Sequence, residues 1–456
     1  MSRFNRRNFL LQGGAGVASA RLIGAALAPG MFLRDGVAAQ QGKPQQVVIP
    51  THEMYGDLDE RLDLPASWQV NVMNMAGHNA PVLTPEQIRK SIQTPIGTRP
   101  LSELAAGKKR VVVSFDDMER PTPIHEVLPQ VIAELNAAGV KDENILLLVS
   151  HGTHRASSAE DVGRKIGKAM AQRFAWTNHN CIDNLKDVGE TSRKNRIKLS
   201  YHLMAADLRI TVSGVRPHGR AGYGGGAKAV LPGLASIDCI RYNHETIGLS
   251  SNDNELKIFH NNLRLDMEEV ARLGGIDFSL QVVYNSKRRT CAVFAGDIVE
   301  AHHAACRMAN KHYRTPTFKN ADVVIANGYP LNTHATLALA WVNRSVREGG
   351  TGVLVMQHPM MMSGRNFWNE SVTFRGGRSY WDVQATRPKA STHGLIVYSQ
   401  YMDKRTMDTP AFPVGTTFAQ TWDQVTAQLR ERHKGDARVA VYPYGPLQHL
   451  EEPLDE

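Results

Sequence analysis

Apolar residues follow two alternating periods along most of the chain, and this alternation predicts an α/β protein. In the first half, β-branched and other apolar runs predict strands at 109–115, 144–150 and 205–215. Apolar residues repeat at helical spacing over 124–135, and residues 158–174 predict a second helix. Strands that alternate with helices indicate parallel sheets.

The same alternation returns after residue 320. It predicts strands at 321–328, 352–357, 393–399 and 437–445 and helices at 335–349 and 418–433. Residues 40–100 are rich in Pro, Asn and Gly, and LPASWQVNVM (64–73) is their one clear strand candidate. We therefore predict two α/β domains with mainly parallel sheets, over 40–305 and 306–456, and an active site in the cleft between them.

The first 39 residues have a different pattern, which predicts a twin-arginine signal peptide. Arg6 and Arg7 precede a mildly apolar, Gly/Ala-rich stretch, and small residues before Gln40 suit cleavage after Ala39. Arg21 and the glycines interrupt the apolar run, so a stable membrane span is not expected. We expect an exported, periplasmic protein that uses the twin-arginine export machinery.

Charge and cysteine usage exclude two further classes. The net charge is +9, but five arginines against one aspartate lie in the first 39 residues, and no long Lys/Arg run follows. A nucleic-acid partner is therefore not expected. Cys181, Cys239, Cys291 and Cys306 form no CxxC pair, so no zinc or redox motif is present and buried free thiols are favoured over disulfides.

Polar groups follow three of the predicted strands at the ends where ligands bind in α/β sheets. These stretches are SFDDMERPTP after 109–115, SHGTHRASS after 144–150, and RPHGRAGYGGGAKAVLPG (216–233) after 205–215. Capping of helix N-termini explains Thr122, Ser157 and Ser158. It does not explain the Asp-Arg and His-Arg sets, which indicate a binding or catalytic site.

The glycine stretch matches neither common phosphate-binding motif. Ala229 follows Lys228 where a P-loop needs Ser or Thr, and Ala227 takes the place of the last glycine of GxGxxG. Glycine-rich backbone can still approach an anion through its amides. An anion site and a tight, ligand-free turn both remain open on this stretch alone.

Four motifs in this order resemble the nickel-dependent lactate racemase family. They are Asp-x-x-Arg-Pro (117–121), Gly-x-His-Arg (152–155), Pro-His-x-x-x-Gly-Tyr-x-Gly-Gly-x-Lys (217–228) and Asn-His (243–244). The resemblance covers most of residues 109–250, with a weaker echo at 327–340. It implies a pyridinium nucleotide whose two sulfur arms form a pincer around nickel and which is attached covalently to Lys228.

The resemblance also assigns residues to the cofactor and to the chemistry. His244 matches the nickel ligand, and imidazole suits nickel. His154 and His218 match the paired acid/base histidines, one for each enantiomer. The residues implied at the nucleotide are Asp117, Gly222, Gly224, Gly225 and Gly226, and the residue implied at the substrate is Arg120, which can clamp a carboxylate.

The implied function is racemisation or epimerisation of a small 2-hydroxy acid by reversible hydride transfer, by an isomerase that depends on cofactor-building enzymes. The chain departs from the family where Tyr-Gln and a later Lys bind substrate: Thr336, Leu337 and Ala340 stand there. A 2-hydroxy acid other than lactate is therefore expected. His334 and Asn332 are candidate replacements or surface residues.

Two alternative functions stay open on the sequence. One is a non-catalytic exported protein of the same fold that binds nickel or an anion. The other is a dehydrogenase that transfers hydride in one direction with the same cofactor. The His154–His218 pair argues against a mere binder, because binding requires no pair of acid/base groups.

Overall fold

The computed structural model describes residues 44–248, 256–359, 392–403, 407, 412–450 and 453–456. Its strands are β1 Gln45–Thr51, β2 Leu58–Leu64, β3 Gln69–Val72, β4 Val111–Asp116, β5 Ile145–Ser150, β6 Ala175–Asn178, β7 Leu185–Glu190, β8 Arg196–Ser200, β9 Leu208–Gly214, β10 Pro217–His218, β11 Gly222–Tyr223, β12 Phe278–Tyr284, β13 Thr290–Gly296, β14 Ala321–Asn327, β15 Val346–Val355, β16 Gly394–Tyr398, β17 Thr417–Ala419 and β18 Arg438–Tyr442.

Its α-helices are α1 Pro85–Gln93, α2 Leu101–Ala105, α3 Ile124–Ala137, α4 Ala159–Ile166, α5 Lys168–Arg173, α6 Tyr201–Met204, α7 Ile237–Arg241, α8 Asn262–Leu273, α9 Glu300–His312, α10 Leu339–Ser345 and α11 Trp422–Arg432. Short 3₁₀ turns lie at Asp142–Asn144, Gly226–Ala229 and Asn332–Ala338, and a π-helical turn lies at Tyr242–Ile247.

One six-stranded sheet carries the three strands predicted in the first half. Its order is β13-β12-β9-β4-β5-β6, and all neighbours are parallel except β12 and β13. Every residue of β4 is buried, with Val111 and Val113 in the core on the α3 side and Val112 in the core on the other face. Burial on both faces explains why the run is mostly apolar, and the predicted α/β class is confirmed.

A second six-stranded sheet, β17-β16-β15-β14-β18-β3, is parallel throughout. The expectation of one strand within 40–100 was wrong, because β1 and β2 form an antiparallel hairpin there. The hairpin buries Val47, Ile49, Leu62 and Leu64 in the core of the second sheet. The intervening side chains face outward, and the four charged residues of LDERLDL make its period-two pattern difficult to recognise as a strand.

Two predicted helices end earlier than expected. The helix predicted at 158–174 is divided into α4 and α5 at Gly167, whose φ of +88° leaves the right-handed helical region. The helix predicted at 335–349 ends at Ser345, because the chain from Val346 pairs with β14 as a strand. In both cases tertiary pairing or a single glycine overrides the local period.

Residues Gly42–Glu456 form one compact unit, and the division at residues 305 and 306 stays a prediction. All four cysteines are free and buried, as expected, and burial raises the pKa of Cys239 and Cys291 to about 12. No helix in the described part of the chain is both long enough and apolar enough to cross a membrane. The predicted signal peptide lies outside the described residues.

Candidate active site

The carboxyl ends of β4, β5 and β9 meet at one cavity of about 250 Å³. Parallel strands place these ends on one edge of the sheet, so loops that are distant in sequence come together there. The residues predicted from sequence that line the cavity are Asp117, Arg120, His154, His218, Gly224, Gly225, Lys228 and His244. Gly222 and Gly226 are not part of its wall.

His154 is held by a chain of polar contacts across two of these loops. Its Nδ1 lies 2.6 Å from the Asp117 carboxylate, and Arg120 Nη2 lies 3.1 Å from its Nε2. Burial acts to raise the pKa of Asp117, but His154 and Arg120 outweigh it and hold that pKa well below its ordinary range. The carboxylate therefore accepts the Nδ1 proton, which leaves Nε2 as the basic nitrogen.

His218 has the opposite hydrogen-bond pattern. Its Nδ1 accepts from the backbone N–H groups of Arg220 and Ala221, at 3.2 and 3.1 Å. Burial, followed by the positive charges of nearby arginines such as Arg216 and Arg120, lowers the pKa of His218 well below 6.5. The neutral ring therefore carries its proton on Nε2 and acts as a donor, whereas His154 acts as an acceptor.

Lys228 lies on the 3₁₀ turn that ends the glycine stretch. Burial lowers its pKa well below 10.5, and the positive charges of Arg120, Arg264 and Arg216 lower it further. A neutral amine is a nucleophile, whereas an ammonium is not. The surroundings of Lys228 therefore favour the neutral, nucleophilic form of its amine.

His244 lies on the π-helical turn that follows α7. Its Nδ1 donates to the Ile240 carbonyl at 3.1 Å, so Nε2 is the unprotonated nitrogen of the neutral ring. Burial, then Lys228 and Arg220, lower the pKa of His244 to about 3. A neutral imidazole whose other nitrogen is fixed by a carbonyl is the usual state of a metal-binding histidine.

The glycines at 222, 225 and 226 have reasons within the protein. All three have positive φ values, of +69°, +78° and +58°. A Cβ at Gly222 would lie 2.0 Å from the Lys257 carbonyl oxygen, and one at Gly226 would lie 2.5 Å from His302 Cγ. Of the glycines predicted at the nucleotide, Gly224 and Gly225 line the cavity.

No sequence pattern singled out Arg264, although it organises the glycine stretch. This arginine on α8 is fully buried and donates to the carbonyls of Ala221 at 3.0 Å and Gly225 at 3.2 Å, and also to that of Tyr223. Helix α8 is distant in sequence, so only the packing of α8 on this stretch brings the guanidinium to it.

Lys165 was also missed, although it carries a signal. It lies between Val162 and Ile166 on the buried face of α4, where a lysine is unusual. Its Nζ lies 2.9 Å from Asp116 and donates to the Arg120 carbonyl at 2.7 Å. The pair holds the loop after β4, on which Arg120 is placed.

The second sheet contributes His334, one of the two predicted replacements, to the cavity wall. Its ring centroid lies 6.3 Å from that of His154, and burial lowers its pKa well below 6.5. Asn332, the other candidate, is buried and donates to both carboxylate oxygens of Glu53, at 2.6 and 2.7 Å. Asn332 therefore fixes the loop and does not face the cavity.

Comparisons with known proteins identify similar proteins. Residues 55–256 match the lactate racemase N-terminal domain, a range that contains Lys228, His244, His154 and His218 but not His334. The chain is similar to lactate racemase of Thermoanaerobacterium thermosaccharolyticum, with 28% identity over 285 residues, covering 61% of this chain and 66% of the relative. It is similar to lactate racemase of Lactiplantibacillus plantarum, with 26% identity over 384 residues, covering 79% and 89%.

Two solved structures have the same fold. The lactate racemase apoprotein from T. thermosaccharolyticum aligns with a TM-score of 0.66 at 21% identity, covering 90% of this chain and 100% of that one. A crystal structure of a Thermotoga maritima protein aligns with a TM-score of 0.57 at 17% identity, covering 82% and 99%. At such identities the likeness concerns the fold alone.

Proposed function

This chain belongs to the lactate racemase family, and we propose that it is an isomerase that racemises or epimerises a 2-hydroxy acid other than lactate. One observation carries the proposal. His154 and His218, with opposite protonation at Nε2, share one cavity with Arg120, Lys228 and His244.

The residues around Lys228 fit a nickel-pincer nucleotide. The neutral amine of Lys228 suits covalent attachment, Nε2 of His244 suits nickel, and Arg216 and Arg220 give the cavity the positive charge that a phosphate requires. When bound, such a nucleotide supplies an acceptor that takes the hydride from C2 of the substrate and returns it. His244 and Lys228 would hold it in place.

The residues of the chain supply the proton chemistry. Nε2 of His154 accepts the hydroxyl proton as the C2–H bond is broken, which leaves a planar 2-keto acid. In the return step the His154 imidazolium would give its proton back to the substrate oxygen, to which Nε2–H of His218 donates a hydrogen bond, and return of hydride to the opposite face of the keto acid would form the other enantiomer. Asp117 stabilises the His154 imidazolium that forms on the way.

Arg120 links substrate binding to this base. Without substrate, Arg120 Nη2 lies 3.1 Å from Nε2 of His154 and donates a hydrogen bond to it. A substrate carboxylate offers the guanidinium two charged acceptors, which are stronger partners than one imidazole nitrogen. Binding of the carboxylate therefore draws Arg120 away and releases the base.

Protein made together with the cofactor-building enzymes tests the proposal. We expect a mass increment on the Lys228 peptide, bound nickel, and interconversion of hydroxy-acid enantiomers by chiral chromatography. His154→Ala and His218→Ala should each lower the rate by about 10²–10⁴-fold with nickel retained, while His202→Ala, outside the cavity, should not. Normal racemisation in both cavity variants would disprove the two-histidine mechanism, and nickel and adduct without any turnover would favour a binding protein.

We also propose that the protein acts outside the cytoplasmic membrane after twin-arginine export. The support is Arg6-Arg7 and the small residues before Gln40. This route carries folded proteins, which suits a cofactor attached in the cytoplasm. Replacing both arginines with lysine should leave the protein in the cytoplasm with its signal attached, as fractionation and intact mass would show. Normal export of that variant would contradict the assignment.

A further inference from the structure

A cluster of one carboxylate and two imidazoles lies between two helices, outside the active-site cavity. Glu268 on α8 and the consecutive residues His302 and His303 on α9 each place a ligand atom within 4.8 Å of the other two. His303 Nε2 lies 3.0 Å from the Glu268 carboxylate. The side chain of Glu268 is 9% exposed and that of His302 is 1% exposed, while His303 is half-buried. The cluster therefore joins two helices with the side chains that bind divalent transition metals.

The distances in this cluster suit a four-coordinate ion. Zinc binds imidazole nitrogen at about 2.0–2.1 Å, so two imidazoles on one zinc ion have ring centroids roughly 5–6 Å apart. The ring centroids of His302 and His303 are 6.3 Å apart. Ligand atoms on tetrahedral zinc are roughly 3.3 Å apart, a separation that small side-chain rotations can reach from the present positions. Two histidines and a glutamate, with water in the fourth position, are a known ligand set for zinc.

Hydrogen bonding sets the protonation of His302 for metal binding. Its Nε2 lies 2.9 Å from the Gly224 carbonyl, so Nε2 carries the proton and the lone pair is on Nδ1. The Cys306 thiol, a weak donor, lies 3.7 Å from Nδ1. Burial, followed by the charge of Arg264, lowers the pKa of His302 well below 6.5, and the neutral ring is the form that binds metals. A ring whose other nitrogen donates to a backbone carbonyl is typical of metal-binding histidines.

The nearby charges limit the affinity of this cluster without excluding a cation. Arg264 lies one turn before Glu268 on α8, and its positive charge opposes a second cation. The Arg264 side chain donates to three carbonyls of the glycine stretch, whereas the Glu268 carboxylate has His303 as its hydrogen-bond partner. A metal ion would replace the proton shared by Glu268 and His303. We therefore expect weaker binding than at a site with no neighbouring cation.

We propose that Glu268, His302 and His303 bind one divalent transition-metal ion of the zinc type, at a site separate from the metal assigned to His244. The ion joins α8 to α9. These are the helices from which Arg264 and His302 hold the backbone of the glycine stretch. Binding stabilises the folded protein, because the unfolded chain does not bring the three ligands together. The role is structural, since none of the three residues lines the active-site cavity.

Zinc binding to the cofactor-free protein tests this proposal. Lys228→Ala/His244→Ala protein, made without the cofactor-building enzymes and treated with a chelator, lacks the metal ligand of the active site. Equilibrium dialysis against Zn²⁺ should still give one zinc ion per chain. Adding Glu268→Gln or His303→Ala should lower the zinc affinity by at least about 100-fold, because loss of a group that only supports a ligand already costs about 10–100-fold.

A melting curve and a control variant complete the test. Zn²⁺ should raise the melting temperature of the Lys228→Ala/His244→Ala protein, whereas Mg²⁺, which prefers oxygen ligands, should not. His202→Ala is the matched control, because His202 is also a half-buried histidine on a helix, α6, and this change should leave zinc binding intact.

Two results would overturn the inference. One is the absence of zinc binding to the Lys228→Ala/His244→Ala protein, and the other is an unchanged zinc affinity in both Glu268→Gln and His303→Ala. Urea unfolding of each variant without metal shows whether it is folded, and Glu268→Gln keeps the size of the side chain. Neither result bears on the proposed function, which rests on the residues of the active-site cavity.

Discussion

Replacing Gly226 with alanine tests whether the glycine stretch is shaped by the protein itself. Gly226 has a φ of +58°, and an added Cβ would lie 2.5 Å from Cγ of His302. His302 is buried and its Nε2 lies 2.9 Å from the Gly224 carbonyl. The methyl group must therefore move the imidazole ring away from this carbonyl or distort the turn that carries Lys228.

Two costs add up in this variant. An L-residue in the left-handed region costs about 1–2 kcal/mol. Overpacking at this buried site costs a further 1–3 kcal/mol, roughly, a range that includes weakening of the hydrogen bond between His302 and the Gly224 carbonyl. The expected loss in the free energy of unfolding is therefore about 2–5 kcal/mol, a large part of the roughly 5–15 kcal/mol of an ordinary protein.

Urea unfolding of the apoprotein measures this loss without any cofactor. Gly219→Ala is the control within the same stretch, since a Cβ there has no atom within 4 Å and φ is not positive. That variant should change stability by less than about 1 kcal/mol. Adding His302→Ala to Gly226→Ala should recover only the part of the free energy of unfolding that is lost to overpacking, and the cost of the positive φ should remain. Equal stability of the Gly226→Ala and Gly219→Ala proteins would refute the conclusion that contacts within the protein require glycine at position 226. Ligand binding would then be the remaining reason for this glycine.

Three further predictions concern ionisable groups. Burial acts to raise the pKa of Asp161, but hydrogen bonds from Arg155 and Ser158 lower that pKa from 3.8 to about 2. The ionised carboxylate therefore stabilises the folded protein fully above pH 4, and this stabilisation is lost as the pH falls towards 2. Asp161→Asn should lower the free energy of unfolding at pH 7 by about 1–2 kcal/mol, after solvent screening, and should make the free energy of unfolding in urea less dependent on pH between 4 and 2; an unchanged pH dependence would contradict this prediction. Lys165→Met should cost about 3–5 kcal/mol, because it leaves a buried carboxylate unpaired, whereas Lys168→Met on the exposed surface should cost less than about 0.5 kcal/mol. Acetylation of Lys228 in the apoprotein, followed by peptide mass spectrometry, should lose less of its rate between pH 9 and pH 7 than acetylation of a short lysine peptide added to the same sample, because the pKa of Lys228 is lowered. Equal losses at both amines would contradict this prediction.

The sequence by itself determined the fold class and the position of the site. The strand of 111–116 is buried on both faces, and a segment with that environment is mostly apolar, so the pattern is visible without a structure. His218 and Lys228 lie in the stretch that follows β9, at the end of the sheet where parallel strands open towards ligands. Local pattern and sheet topology agree at these points. The resemblance of four ordered motifs to a known family then suggested roles for the residues of the site.

Only the tertiary structure decided the protonation, hydrogen bonding and electrostatic surroundings of these groups. The opposite proton positions on His154 and His218 depend on an aspartate from another loop and on two backbone amides. Arg264 reaches the glycine stretch from α8, and Glu268 of the same helix lies 3.0 Å from His303 of α9. Hydrogen-bond direction, desolvation and the ligand set of a metal site arise from groups brought together by packing, so no local period in the sequence records them.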